Sequence, residues 1–233
     1  MKKANDSRQN SMKLAMYLVL SAGFISAMAM SLKSKNTITD KTTKAITIVS
    51  ANDNASVVNK AEKRIASNEA DKNREEESKQ AFIEAYKVFM HPRCLNCHPA
   101  GDTPFQGDAG ALHTMGVKRG PDGKGLYAMK CKNCHQDTHT PGDNMPPGHP
   151  NWHLPPADRK MVFEGKTPRQ LAMGFKDPKF TGFNTMDKFL HHIEDDTLVK
   201  NSFTYGTRPP LSHEEFAAKV KEWIDKGAAL PDK

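Results

Sequence analysis

The stretches Cys94-Leu95-Asn96-Cys97-His98 and Cys131-Lys132-Asn133-Cys134-His135 repeat one C-x-x-C-H pattern. This pattern is the signature of covalent haem attachment, in which two thiols bond the porphyrin and the histidine becomes an axial ligand of the iron. The chain has four cysteines, and the two motifs use all of them. The sequence therefore predicts two haem c groups. The predicted residues are the covalent attachment cysteines Cys94, Cys97, Cys131 and Cys134 and the proximal ligands His98 and His135.

Three other uses of paired cysteines fit the pattern less well. Structural zinc sites usually separate their Cys-x-x-Cys pairs by about 15 to 20 residues, whereas 33 residues lie between Cys97 and Cys131. A disulfide framework gives no reason for a histidine directly after each pair. A thioredoxin-like motif requires a β-α-β pattern, which this sequence lacks.

The amino terminus has the organisation of an export signal. Residues 1–13 carry four basic side chains, residues 14–30 are apolar or small, and Ala27-Met28-Ala29 is a small-x-small cleavage pattern. The sequence predicts a signal peptide over residues 1–29 and a periplasmic mature protein. An uncleaved anchor in the inner membrane is the alternative, since 17 apolar residues are near the lower limit for a spanning helix.

Composition divides the remainder into two parts. Residues 30–75 are rich in Lys, Asn, Ser, Thr and Ala, with too little apolar surface to offset the entropy of ordering, so we predict a flexible linker. Residues 76–233 form the predicted two-haem domain. Its first helix, near residues 76–90, places Ala81, Phe82, Ala85, Tyr86 and Phe89 on one face, and His91-Pro92 ends it.

Three further helices are predicted downstream. Thr167, Pro168 and Gln170 form a capping pattern for a short helix that Gly174 is suited to end. Met186, Phe189, Leu190 and Ile193 repeat with helical spacing. A capping box at residues 212–215 opens the last helix, which is expected to stop at Gly227. The prediction is a mainly α protein of one domain.

Long loops separate these helices. Residues 99–125 and 141–156 are rich in Gly and Pro, which disfavour long regular elements. A haem offers a large flat apolar surface, so a chain packed on it needs less secondary structure of its own. The formal charge of +7 is partly located in residues 1–13, and no basic-aromatic pattern predicts nucleic-acid binding.

A set of short segments resembles one known family. It comprises His91-Pro92-Arg93-Cys94 to His98-Pro99, Gly107-Asp108, His113, Arg119-Gly120-Pro121-Asp122-Gly123, the second motif, Trp152-His153-Leu154 and Trp223-Ile224-Asp225-Lys226-Gly227-Ala228. Together they resemble exported bacterial two-haem c-type cytochromes whose members are labelled isoquinoline 1-oxidoreductase subunits. The chain departs from that family at His149, where a small residue is usual, and at Ala172, where a cysteine often stands.

The resemblance implies more than the spacing does. A helix leading directly into C-x-x-C-H is how class I cytochromes c begin, so the resemblance implies class I cytochrome c-like helices around two covalent haems. The family label implies an electron donor of the molybdenum hydroxylase or dehydrogenase type. The acceptor would be another cytochrome or an oxidase of the respiratory chain. A membrane partner is expected only if residues 1–29 stay attached.

The second axial ligand of each iron is open to competition. Ten histidines and twelve methionines are available, and both residue types serve in haem proteins. His113 and His153 are the candidate distal ligands, because both lie in irregular segments near a motif and match positions of the resembled family. Met145 is the alternative, since Asn144-Met145-Pro146-Pro147 resembles the methionine loop of class I cytochromes. Met129 and Met115 rank behind it.

Two neighbouring histidines receive a different interpretation. His192 also matches the family, but the helical pattern places it beside the apolar face formed by Phe189 and Ile193, and His191 points further away. Exposed histidines on a helix are expected at both positions.

Two functions remain. The first is an electron carrier with both irons six-coordinate, in which the fold positions the haems and tunes their potentials. The second is a two-haem peroxidase-like enzyme with one open iron. Size favours the carrier, because the motifs lie too close together in the chain for each to own a separate cytochrome domain.

Overall fold

The computed structural model describes residues 51–233, and for residues 51–58 it describes the backbone alone. The predicted signal peptide or anchor over residues 1–29, and the linker up to residue 50, lie outside the described residues. Within the described part, no helix combines the length and apolar character needed to cross a membrane.

The described chain is mainly helical, as predicted. Its α-helices, in chain order, are α1 Ala51–Phe89, α2 Pro92–Leu95, α3 Pro168–Phe175, α4 Pro178–Thr181, α5 Met186–Asp195, α6 Thr197–Ser202 and α7 His213–Asp225. Helices α2, α4 and α6 were not predicted, since each is too short to show a hydrophobic period.

Two small antiparallel hairpins lie in the loops around the motifs. Strand β1 (Phe105–Gln106) pairs with β2 (Ala111–Leu112), and β3 (Gly125–Leu126) pairs with β4 (Met129–Lys130). The segment 134–167 contains no helix or strand. The Gly- and Pro-rich stretches are thus almost free of regular structure, as their composition predicts.

Helix α1 begins much earlier than the sequence predicts. The expected flexible linker over residues 30–75 includes residues 51–75, which are helical, and its flexibility stays a prediction. Residues 59–77 are exposed around the whole helix surface, and their many Ala, Glu and Lys residues have high intrinsic helix propensity. The end of α7 adds contacts, since Arg74 donates to the Asp225 carbonyl at 2.6 Å and Lys226 pairs with Glu77 at 3.0 Å.

The predicted caps are confirmed. Thr167 and Gln170 form a reciprocal capping box at α3, and Ser212 and Glu215 form another at α7. At α5 the Thr185 hydroxyl accepts the backbone N–H of Lys188 at 3.2 Å. Each cap satisfies N–H groups that the first turn of a helix leaves without a partner.

The core is an aromatic cluster between α1, α3, α5 and α7. Phe82 and Phe89 of α1 are buried with Phe175 of α3, Phe189 of α5 and Trp223 of α7. Phe82 lies 4.8 Å from Trp223 and Phe89 lies 4.7 Å from Phe175, measured between ring centroids. The predicted apolar face of α1 is therefore confirmed. Because this face is packed in the core, the end of α1, which the first motif follows, has a fixed position.

A buried hydroxyl joins α1 to the end of α7. Ser78 is fully buried, its Oγ donates to the Trp223 carbonyl at 2.8 Å, and it accepts the Ala229 N–H at 3.0 Å. Ser78→Ala leaves both groups unpaired, so we expect it to lower the free energy of unfolding by about 1 to 3 kcal/mol. Thermal unfolding of the purified protein measures this.

Ser67→Ala is the matched control, because Ser67 lies in the exposed part of the same helix and bonds only the Arg64 carbonyl. Its effect should stay within about 0.5 kcal/mol. Equal effects of the two substitutions would contradict the assigned role of Ser78.

Candidate functional site

The first motif follows directly from the end of α1. His91 caps the short helix α2, with its Nδ1 accepting the Arg93 N–H at 3.2 Å. After this turn the His98 ring stacks on Phe163, with centroids 3.9 Å apart and planes 6° apart. Its Nδ1 lies 2.8 Å from the carbonyl oxygen of Met161. Two contacts from a segment 63 residues later in the chain thus fix the imidazole.

The second motif repeats this arrangement with different residues. Strand β4 leads into a 3₁₀ turn over Cys131–Asn133, and the His135 ring stacks on Trp152 with centroids 4.0 Å and planes 6° apart. Its Nδ1 lies 2.7 Å from the carbonyl oxygen of Pro147. The Pro-rich segment 141–156 therefore supplies both contacts.

These hydrogen bonds decide the tautomer of both rings. A carbonyl oxygen only accepts, so Nδ1 of His98 and of His135 carries the proton and donates it, which leaves the Nε2 lone pair free. This is the form in which imidazole binds a metal, with its other nitrogen held by a backbone carbonyl. Burial lowers the pKa of His98 to about 3 and also lowers that of His135, so both rings are neutral at physiological pH.

A cleft opens beside the first motif. Cys94, Cys97 and His98 form one wall, and apolar side chains of the core and of α5 and α6 form much of the remainder, including Phe89, Phe183, Phe189, Ile193, Leu198 and Val199. It encloses about 1050 Å³, with open solvent at its mouth included. A large, flat, apolar ligand suits a lining of this kind.

The four cysteines are free thiols. Burial raises the pKa of Cys94 to about 12 and that of Cys97 to about 11. The charge of Cys131 adds to the rise at Cys97, whereas Arg119 opposes it. Within the described residues, no three Cys, His, Asp or Glu side chains converge as a structural zinc site requires.

Two buried guanidinium groups lie near the thiols. Arg93 pairs with Asp108 and lies 4.9 Å over the Tyr205 ring, and Arg119 donates to the Pro155 carbonyl at 2.6 Å. In both residues the buried Nε has no acceptor among the described residues. These donors match the carboxylates of a haem, so the polar groups, the thiols and the apolar walls all fit that cofactor.

His113 faces the second motif. Its ring centroid lies 6.3 Å from that of His135. Two imidazoles bound through Nε2 on opposite sides of one metal atom have centroids about 6 Å apart, because each metal–nitrogen bond is about 2.0 Å long. The Nδ1 of His113 lies 2.9 Å from the Thr114 carbonyl, so its Nε2 is also free. The structure thus brings together His113 and His135.

His153 and Met145, the other two predicted distal ligands, have different surroundings from His113. His153 is half-buried at the cleft beside the first motif, with Nδ1 2.8 Å from the Asn151 carbonyl of its own loop. Met145 is 46% exposed, and Met115 is 70% exposed. The structure does not join these methionines to either motif histidine.

His192 is the residue that sequence reasoning passed over. It lines the same cleft as His98, and its side chain is 28% exposed, whereas that of His191 is 76% exposed. The expectation of an exposed histidine is confirmed for His191 and wrong for His192, because packing of α5 beside Phe183 turns this flank toward the cleft. An acidic residue four positions later, Asp196, was the available sequence signal, but Asp195 follows His191 in the same way.

Other histidines have both ring nitrogens engaged. His139 accepts the Gly148 N–H and bonds the Thr204 hydroxyl, and His149 accepts the Asn151 N–H and bonds the Thr197 hydroxyl. His149, a point of departure from the resembled family, therefore has a structural role.

Comparison with known proteins adds no relative, since no family model matches the chain and no curated protein or solved structure is significantly similar to it. The interpretation of the site depends on the motifs and the geometry described above.

Arg119 joins three segments around the site. Its guanidinium bonds Pro155 and Gly101 and lies 4.0 Å from the Asp102 carboxylate. We expect Arg119→Met to lower the free energy of unfolding by about 2 to 4 kcal/mol, since buried acceptors lose a charged donor. Denaturant unfolding of the purified protein checks this.

Arg208→Met is the control, because the exposed Arg208 bonds only the nearby Gly206 and Thr204 carbonyls. It should change stability by less than about 0.5 kcal/mol. A loss as large as that of Arg119→Met would refute the bridging role.

Proposed function

We propose that this protein is an electron-transfer c-type cytochrome of the periplasm that carries two covalently attached haems. It relays electrons from a dehydrogenase or molybdenum hydroxylase donor to the respiratory chain through an acceptor cytochrome or oxidase. The observation that carries the proposal is that both motif histidines are held by the same two kinds of contact. His98 and His135 each stack on an aromatic ring and donate Nδ1–H to a backbone carbonyl.

The residues have distinct roles in this proposal. Cys94 and Cys97 would hold one haem, and Cys131 and Cys134 the other, by thioether bonds. When bound, haem supplies a one-electron iron couple, whose potential depends on the axial ligands and on burial. The Met161 and Pro147 carbonyls fix the two imidazoles and make them more basic. Phe89, Phe189 and Phe216 keep water away from the first site.

The position of the two motifs supports electron relay. Trp152, which stacks on His135, is followed directly by His153, which lines the cleft of the first motif, so the two sites adjoin within one domain. Groups held in adjoining parts of one domain can exchange electrons without a movement of the fold. The facing pair His113 and His135 supports a six-coordinate iron at the second motif, so the open iron of a peroxidase-like enzyme would have to be the one at the first motif.

The first test counts the haems. The exported protein should stain for haem after denaturing electrophoresis, and its intact mass should include two haem groups. Cys94→Ala with Cys97→Ala should leave one, and Cys131→Ala with Cys134→Ala should leave the other, because thioether bonds need the thiols. The two double variants are matched controls for each other. A native protein that contains zinc and no porphyrin would end the proposal.

The second test separates carrier from enzyme. Electron paramagnetic resonance of the oxidised protein should contain two low-spin ferric signals, with no steady peroxide turnover. His113→Ala should convert one signal to high spin, because it removes the ring that faces His135. His139→Ala is the control, since both nitrogens of that exposed ring already have partners. Steady peroxide turnover with a high-spin iron in the wild-type protein would select the enzyme.

A further inference from the structure

Helix α5 presents a second histidine to the cleft of the first motif. His192 and His98 both line this cleft, although 94 positions separate them in the chain. Phe189 and Ile193 of the same helix line it with them. The cleft thus has one histidine from the motif and one from α5 in its lining, as the second motif has His113 facing His135.

The His192 ring is held by a carboxylate that is itself fixed. Its Nδ1 lies 3.1 Å from Oδ2 of Asp196. The other oxygen of Asp196 accepts the N–H groups of Leu198 at 2.8 Å and Val199 at 3.4 Å as the cap of α6. An ionised carboxylate only accepts, so Nδ1 of His192 donates, and in the neutral ring this leaves the lone pair on Nε2. This carboxylate–histidine arrangement is common behind metal-bound imidazoles.

The surroundings of His192 suit a ligand of a flat cofactor. Phe183 lies 5.2 Å from its ring centroid, and Phe189 and Ile193 of the same helix are buried beside it. The side chain thus emerges from an apolar wall, with one nitrogen anchored and the other available. His153 borders the same cleft, but its anchor is a carbonyl two residues away in its own irregular loop. A helix-borne ring is the more rigidly placed of the two.

We infer that His192 is the axial ligand opposite His98 and that Asp196 is its positioning residue. This inference deepens the proposed function and rests on it. Each motif histidine then has one facing histidine, His113 for His135 and His192 for His98, and His153 is not a ligand of the first iron. Bis-histidine ligation at both irons implies lower potentials than histidine–methionine ligation.

The chain contains a matched control on the same helix. His191 and Asp195 repeat the i,i+4 pair of His192 and Asp196, with Nδ1 2.6 Å from Oδ2, but His191 is exposed. His192→Ala should convert the low-spin signal of the first haem to high spin in the oxidised exported protein, and added imidazole should restore it. His191→Ala should leave both low-spin signals unchanged. The Cys131→Ala, Cys134→Ala variant identifies which signal belongs to the first haem.

A second pair of variants keeps the test decisive if His192→Ala fails to fold. His192→Met retains a ligand and should raise the reduction potential of one haem, whereas His191→Met should leave both potentials unchanged. Asp196→Asn should leave the first haem low-spin and alter its signal positions and potential, and Asp196→Glu should restore them. Asp195→Asn is the control for Asp196→Asn.

Failure of the inference is distinguishable from failure of the proposed function. Absence of covalent haem from the wild-type protein would overturn both. Two attached haems that both remain low-spin in His192→Ala would overturn the inference alone. Conversion of the first haem to high spin by His153→Ala, but not by His192→Ala, would likewise overturn it and select His153.

Discussion

Packing around Phe89 is the constraint on which the site depends. This ring lies at the last residue of α1, within 4.7 to 5.5 Å of Phe175, Phe216 and Phe163 between centroids. It also lines the cleft beside Cys94 and His98. One side chain thus belongs both to the helical core and to the wall of the candidate site. Because interiors are closely packed, a displacement of this ring would move the first motif.

The two motifs are supported by different parts of the chain. The first adjoins the core cluster, which consists of residues from 81–95 and 161–230. The second lies in hairpins and Pro-rich loops, where Trp152, Pro147 and the β3–β4 hairpin fix it. A bound cofactor would contribute more to the order of the second region, since that region has less apolar surface of its own to bury. Loops of this kind, held by a rigid framework, are common carriers of function.

Buried charge links these two regions. Arg119 is fully buried, its side chain bonds the Pro155 carbonyl of the Pro-rich loop, and its charge acts on both Cys97 and His98 of the first motif. Gly206 allows the backbone to approach Arg93, where a Cβ would lie 2.8 Å from the guanidinium. A buried cation is costly unless it has partners, and here Arg93 has Asp108 while Arg119 has the Pro155 and Gly101 carbonyls. Their buried Nε groups lack an acceptor among the described residues, so both arginines keep a donor for a ligand of the site.

The sequence by itself determined the elements that depend on local chemistry. The paired motifs, the capping boxes at Thr167 and Ser212 and the apolar period of α5 are all short-range patterns, and the structure has the predicted helices at these positions. His113 was also nominated from the sequence, because it lies in a loop next to a motif.

Only the tertiary structure decided which residues meet across the fold. The contacts of His98 with Met161 and Phe163, and the cleft that His98 shares with His192, join residues far apart in the chain, and no spacing rule encodes them. His191 and His192 have the same local pattern, yet the packing of α5 leaves the first exposed and turns the second inward. The start of α1 was missed because the polar composition of residues 51–75 indicated a linker, although their helix propensity is high. A solvated helix satisfies its own backbone hydrogen bonds without a core.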